Sequence, residues 1–155
     1  MAVITHARRK SRLGSMIDAA GGISVLLALA AANANLEALK PPSLAEVARQ
    51  ADLLAEIVPA ETSAGADEDD ALNRLYIACT MMIDAAGPFD LDDVCEVARG
   101  LCDLIDAASP EHPFDWRVPK VYSTSLGMML KLDREAPARA AVKAQLDRLI
   151  ASKMA

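Results

Sequence analysis

The sequence predicts an all-α fold, a single-domain bundle of five to six helices, on three observations. Apolar residues recur every three to four positions, which is the period of an amphipathic helix. Alanine, the strongest helix former, fills 31 of the 155 positions. The phrase Ile-Asp-Ala-Ala occurs three times with a glycine or proline within two residues of its end, as is typical of a helix terminus. Its copies are Ile17–Ala20, Ile83–Ala86 and Ile105–Ala108.

The chain divides into a basic N-terminal arm and the bundle. Residues 1–22 are predicted to form a basic arm or a short helix, and residues 23–155 to form the bundle domain. The first 13 positions hold four basic side chains and no acidic one. We expect this charge to contact a partner through Arg8, Arg9, Lys10 and Arg12.

The first two helices of the bundle are predicted on either side of a proline pair. A helix over 23–39 is expected to end at Pro41-Pro42, because proline lacks the N–H that a helix interior needs. Ser43 and Glu46 have the spacing of a capping box. This spacing predicts a new helix that begins at Ser43 and ends at Pro59.

A central antiparallel hairpin is predicted over about residues 68–107. Its two helices are separated only by the short stretch at Gly87-Pro88, so we expect them to be neighbours that run in opposite directions. Asp90 is expected to be the N-cap of the second helix. The four consecutive acids at 67–70 are expected to stabilise the start of the first helix through the backbone dipole rather than to bind a metal.

Two further helices are predicted after the hairpin. One runs from about Trp116 or Lys120 to Leu132, and the last begins at Pro137, since proline suits the first turn of a helix. Phe114 and Trp116 are expected to plug one end of the bundle.

The last helix carries basic side chains that helical spacing places on its outer side, among them Arg139 and Lys143. We expect these two residues to belong to a partner surface. An alternative is that the basic face packs beside the acidic hairpin.

The chain has a net charge of −6, and its acidic and basic residues are strongly segregated along the sequence. Residues 61–106 hold twelve acids and two bases, whereas residues 107–155 hold eight bases and five acids. Either the fold neutralises these charges internally, or it presents separate patches to partners. A general nucleic-acid binder is disfavoured, because phosphate binding needs a concentrated basic face.

The sequence contains no recognisable constellation of catalytic or cofactor-binding residues, so we expect neither an enzyme nor a cofactor. Nucleophilic catalysis needs a base held beside a nucleophile, and the two histidines are His6 in the arm and His112 between two prolines. The three cysteines lack the spacing of a zinc site and are expected to be buried free thiols; they are Cys79, Cys95 and Cys102.

We expect a cytoplasmic location. A basic start followed by the apolar run at 23–32 imitates a signal peptide, which is the less favoured alternative. No stretch of the sequence approaches the roughly 20 apolar residues of a membrane-spanning helix.

Two methionine pairs are candidates for an adaptable contact surface. Adjacent residues on a helix point about 100° apart, so both members of a pair cannot be equally central to the core. Core filling is the default interpretation, and the alternative is that one member of each pair contacts a partner. We take Met82 and Met128 as the candidate interface members.

Several short pieces of the sequence form a combined pattern over about residues 72–132. They are Leu75-Tyr76, Ile83–Phe89, Leu91, Val97–Asp106 and Trp116. This pattern resembles a group of small, all-helical accessory proteins of bacterial chemotaxis and two-component signalling systems, including the CheE-like chemotaxis proteins. The resemblance implies a regulatory binding module rather than an enzyme, and it transfers no functional residue to a position of this chain.

The predicted function is therefore that of a non-enzymatic helical adaptor or regulator that binds a protein partner, with a receiver domain or a kinase as possible partners. The alternative is binding to a membrane surface, or less readily to nucleic acid, through the basic arm. A small-ligand carrier and a phosphotransfer-like domain are weaker alternatives. Self-association is a further alternative, because an alanine- and leucine-rich helix such as that over 23–39 can have more apolar surface than a monomer covers.

Overall fold

The computed structural model describes residues 24–59 and 66–154, and within these ranges the chain forms helices and no strand. The all-α prediction is confirmed. The described helices are α1 (Val25–Leu54), α2 (Ala66–Ala86), α3 (Asp92–Asp106), α4 (Val118–Met129) and α5 (Pro137–Met154). A 3-10 turn at Gly87–Phe89 joins α2 to α3. The predicted basic arm and the first Ile-Asp-Ala-Ala copy lie outside the described residues.

Helix α1 is continuous where the sequence predicted two helices, and Pro41 and Pro42 both lie inside it. The prediction was wrong because the φ angle of proline is itself helical, so the pair removes two N–H donors without forcing the chain out of the helix. No capping box forms at Ser43. Instead Glu46 accepts hydrogen bonds from Arg49 and Gln50, and these bonds lower the pKa of Glu46 to about 2.

The residue contacts divide the chain beside the prolines, into the units Met1–Leu39 and Lys40–Ala155. In the described part of the first unit, the large apolar side chains of α1 are exposed; these are Val25, Leu26, Leu27, Leu29, Leu36 and Leu39. In the second unit α1 becomes a core helix, with Val47, Ala51 and Leu54 buried. None of the described helices has the length and apolar character that crossing a membrane requires.

Helices α2 and α3 form the hairpin that the sequence predicted, and they provide most of the core of the second unit. The Sγ atom of Cys95 lies 3.8 Å from the carbonyl oxygen of Ile83, so these two residues lie beside each other in the hairpin. Small side chains such as Ala78 and Ala98 are buried between the helices and allow a close approach. α2 ends at Ala86 and α3 at Asp106, within the second and third Ile-Asp-Ala-Ala copies.

The connection between α2 and α3 differs from the prediction at Asp90. This residue is not the N-cap of α3, because it has the left-handed conformation, with φ 54°, and ends the 3-10 turn. Aspartate tolerates that conformation better than most residues. α3 therefore begins at Asp92, and the side chain of Asp93 accepts the N–H of Val94 at 2.9 Å.

The aromatic residues before α4 contact the core. Phe114 is buried, and its ring meets that of Trp116 edge to face with centroids 5.0 Å apart. The indole N–H of Trp116 donates to Glu68 at the start of α2. Lys153 near the end of α5 forms an ion pair with Asp115 at 2.7 Å. The segment between α3 and α4 is thus attached to α2 through Trp116 and to α5 through Asp115.

Two helical glycines have opposite surroundings, and this leads to a first prediction. A Cβ on Gly127 would meet nothing within 4 Å, so Gly127→Ala should raise the free energy of unfolding by about 0.5–1 kcal/mol through helix propensity. A Cβ on Gly100 would lie 2.3 Å from Cδ1 of Ile150, so Gly100→Ala should lack this gain. Adding Ile150→Val, which removes that methyl group, should restore part of it. Urea unfolding of the wild type and the three variants measures these free energies. An equal gain at both glycines would contradict the explanation that Ile150 packs against Gly100.

Candidate protein-binding groove

A groove of about 440 Å³ lies between the C-terminal half of α1 and the end of α4. One wall is formed by α1 and the other by α4, and the lining is mostly apolar or small with one charge on each wall. The lining residues are Leu44, Ala45, Ala48 and Asp52 from α1 and Gly127, Leu130 and Lys131 from α4 and the turn after it. Its volume is in the range of ligand-sized clefts.

Gly127 is the unusual residue of this groove. Glycine inside a helix is less stable than alanine by roughly 0.5–1 kcal/mol, because its unfolded chain is more flexible. Nothing in the described structure occupies the place of its missing side chain. The glycine therefore leaves space at the groove without serving the packing of the described chain.

The position of the α4 wall depends on Arg139, which comes from the start of α5. Its Nη1 donates to the carbonyl oxygens of Met129 at 2.8 Å and Leu132 at 3.2 Å. Carbonyls at the end of a helix lack partners within the helix and carry the negative end of its dipole. The arginine adds a donor to the Met129 carbonyl, which also accepts the N–H of Leu132, supplies one to the Leu132 carbonyl, and brings the complementary charge.

The other side of the guanidinium is paired with Asp93 in the first turn of α3. Nη2 lies 3.0 Å from Oδ1 of this carboxylate, and Nε donates to Oδ2. The bonds from Arg139 hold the pKa of Asp93 below its usual range. A planar guanidinium with two parallel bonds to a carboxylate is a geometrically specific pair. Arg139 thereby joins α3, α4 and α5.

This arrangement corrects the expectation that Arg139 lies outward, because only 3% of the residue is exposed. Lys143, one turn further along α5, is half-buried between Glu96 and Asp147, each at 3.0 Å. These two acids raise its pKa. Arg139 and Lys143 thus pack against the acidic hairpin, which was the alternative prediction, and neither is an open positive group.

A charged recess lies beside Arg139, with a volume of about 270 Å³. Arg134 donates to the backbone oxygen of Asp90 there, so the connection between α2 and α3 is also attached to the segment before α5. Both signs of charge line the recess; its residues are Asp90, Asp92, Asp93, Arg134, Arg139, Ala140 and Lys143. We interpret it as part of the scaffold that positions α4.

Each methionine pair is split between core and surface, but one assignment was reversed. Met82 is completely buried and cannot be a contact residue, whereas Met81 is 43% exposed. The prediction was wrong because the core stripe of α2 continues from Leu75 through Cys79 to Met82. Met128 is 46% exposed, as its candidate role requires, and Met129 is buried.

Most acids of the hairpin point to solvent without a cationic partner. Residues 66–106 contain eleven acids and two bases. Among the described residues, Asp93 and Glu96 are the acids of this segment that form ion pairs. The remaining carboxylates give this side of the molecule a negative field.

The other candidate groups do not meet at a single site. His112 lies exposed in the segment between α3 and α4. Within residues 24–59 and 66–154, no group of three histidine, cysteine or acidic side chains is placed to hold a metal ion. The predicted contact residues Arg8, Arg9, Lys10 and Arg12 lie outside the described residues.

Sequence reasoning missed the groove itself. Its walls come from residues more than 70 positions apart, and the one local signal was a glycine inside the α4 pattern.

Comparison with known proteins finds no matching protein family, no matching curated protein and no matching solved structure.

A second prediction concerns Arg139. Arg139→Met should lower the free energy of unfolding by about 2–4 kcal/mol, because it removes the cation paired with Asp93, the side-chain donor to the Leu132 carbonyl and one of the two donors to the Met129 carbonyl. Arg148→Met, an exposed change on the same helix, is the matched control and should change stability by less than about 0.5 kcal/mol. Similar losses in the two variants, measured by urea unfolding, would argue against the anchoring role.

A third prediction follows from the lowered pKa of Asp93. A carboxyl whose pKa is lower in the folded state stabilises the fold above its unfolded pKa, near about 4, and loses this contribution as the pH falls through the folded value. The stability difference between the wild type and Asp93→Asn should therefore be full at about pH 6 and shrink towards about pH 3. Urea unfolding at both pH values measures it, and a pH-independent difference would contradict the ion pair.

Proposed function

We propose that this protein is a non-catalytic helical adaptor or regulator, and that it binds an amphipathic helix of a partner protein in the groove between α1 and α4. The observation that carries the proposal is Gly127, a helix-interior glycine whose open space faces a groove and no atom of the described chain.

The shape and lining of the groove favour a helix as the occupant. Binding of an amphipathic helix between two helices is a recurring mode of protein recognition. Ala45, Ala48 and Gly127 leave room for a close approach of another backbone, and Leu44 and Leu130 offer apolar contact. Met128 is exposed on α4 next to Gly127 and can adapt its shape to a partner.

The charges around the groove indicate which charged residues the bound helix carries. Asp52 lies on the α1 wall and Lys131 on the α4 wall, so a helix with a basic residue on one side and an acidic residue on the other binds in one orientation. The net charge of −6 and the unpaired carboxylates of the hairpin favour a partner with an excess of basic residues.

The cellular setting is also part of the proposal. The resemblance to accessory proteins of bacterial chemotaxis and two-component systems suggests a receiver domain or a kinase as the partner and the cytoplasm as the location. Binding to a membrane surface or to nucleic acid through the arm concerns residues outside the described ranges, and it stays an alternative.

The fourth prediction tests the groove with a photo-crosslinking amino acid at Lys131, on its rim, in cells of the native host. The expected result is a covalent adduct with one protein, identified by mass spectrometry. Gly127→Leu, which fills the groove where nothing else lies within 4 Å, should abolish the adduct while the circular dichroism spectrum is unchanged.

The matched control is Ala144→Leu, an equal enlargement on the exposed side of α5, which should keep the adduct. The crosslinker placed at Ala144 should give none. Equal adducts from both positions, no adduct at Lys131, or an adduct of small-molecule mass would each overturn the proposal, and the last result would favour a ligand carrier.

A further inference from the structure

The N-terminal half of α1 exposes a row of large apolar side chains. Val25, Leu29, Leu36 and Leu39 each have between 44% and 57% of their surface exposed. Monomeric proteins rarely expose contiguous apolar patches of more than a few hundred Å², and larger patches mark interaction sites. This row therefore indicates a contact surface in the first unit of the chain.

The spacing of these residues is that of a helix that pairs with another helix. Together with Ala32, which is also exposed, they follow one another at intervals of four, three, four and three residues. This is the a and d pattern of a coiled coil, and it places all five residues in one stripe, the α1 stripe. Leu27 lies nine residues before Leu36, or two and a half turns, so it points to the opposite side of the helix.

The α1 stripe carries no charge, which favours an identical stripe as its partner. Glu37 is the one charged residue within Val25–Leu39, and it lies outside the stripe. Two copies of the stripe therefore meet without bringing like charges into contact. An anionic membrane surface is disfavoured, because a helix that binds one carries lysine or arginine on its polar side, and this segment contains neither.

The sizes of the side chains favour two helices that run in opposite directions. In a parallel pair each residue meets its own copy, so Ala32 would face Ala32 and leave a gap between two layers of leucine. In an antiparallel pair Ala32 faces Leu36 of the second copy, and Leu29 faces Leu39. The small residue then lies opposite a large one, which fills the space between the helices.

The apolar surface of the stripe is sufficient for a reversible dimer. Leu26 lies at the edge of the stripe and is 80% exposed. Burial of this leucine and of the large residues of the stripe on two chains would remove on the order of 1,000 Å² of surface from water, which is the lower limit of a specific interface. We therefore expect a dimer that dissociates on dilution.

We propose that the N-terminal half of α1 is a homodimer interface, in which Val25–Leu39 of one chain pairs in the antiparallel direction with the same segment of a second copy. The residues that line the groove between α1 and α4 lie outside this segment. The inference therefore does not depend on the proposed function.

The fifth prediction is tested by sedimentation equilibrium of the full chain over a range of concentrations. The wild type should fit a reversible monomer–dimer equilibrium. Leu36→Lys should raise the dissociation constant of the dimer by at least about tenfold, because it places a charge in the middle of the apolar stripe.

The matched control is Leu27→Lys, the same change at a leucine on the opposite side of the helix that is 65% exposed. It should keep the dissociation constant of the wild type. Leu27 and Leu36 are both exposed in the single chain, so the circular dichroism spectra of the two variants should agree when both are diluted to monomers.

The direction of the helices is tested with Leu29→Cys and Leu39→Cys. A mixture of the two variants should form a disulfide between chains on mild oxidation, and neither variant alone should form one at the new cysteine. In an antiparallel pair, identical positions lie about 15 Å apart along the helix axis, which is too far for a disulfide. Peptide mapping separates this product from any disulfide of the native thiols, of which Cys102 is the partly exposed one.

Four results would overturn the proposal. A wild type that stays monomeric at every concentration would exclude the dimer, and binding of that monomer to phosphatidylcholine vesicles would assign the stripe to a membrane instead. Equal weakening by Leu27→Lys and Leu36→Lys would indicate non-specific association. A disulfide in Leu29→Cys alone would contradict the antiparallel arrangement.

Discussion

The hydrogen bonds of the Arg139 guanidinium are the constraint on which the arrangement of α3, α4 and α5 depends. A buried cation is unfavourable unless each of its donors finds an acceptor. Here the acceptors are the carbonyls of Met129 and Leu132 on one side and the carboxylate of Asp93 on the other. The two carbonyls lie at the C-terminal end of α4 and just after it, and Asp93 lies in the first turn of α3. The three helices must therefore keep their relative positions if the donors of the guanidinium are to find these acceptors. Because α4 forms one wall of the groove, a residue outside the groove determines its shape.

Much of the fold could be predicted from local patterns, and the errors occurred where a local pattern permits two structures. The α2–α3 hairpin and two of the helix ends were predicted because periodicity, glycine and proline agree there. The φ angle of proline is helical, so Pro41 and Pro42 are compatible with a helix boundary and also with a helix interior. Asp90 suits both the N-cap position of a helix and a left-handed turn position. Here it follows a 3-10 turn and adopts the left-handed conformation.

The site was less predictable, because its contacts join distant parts of the chain. Helical spacing places Arg139 among the outward basic residues of α5, and the sequence gives no sign that its partner, Asp93, lies 46 positions away. The methionine pairs show an intermediate case, since the sequence requires one member of each to be exposed but the choice depends on where the core stripe runs.

The comparison of Gly100 with Gly127 is the basis of the proposed function. Both glycines lie inside helices, where alanine is more stable. The first is explained by the fold, because Ile150 and the hydroxyl of Tyr122 occupy the space beside it. The second has no such explanation within the described chain, although it lies at a groove between two helices. The proposed partner helix supplies an explanation, because a closely packed backbone in the groove would need the space that Gly127 leaves open.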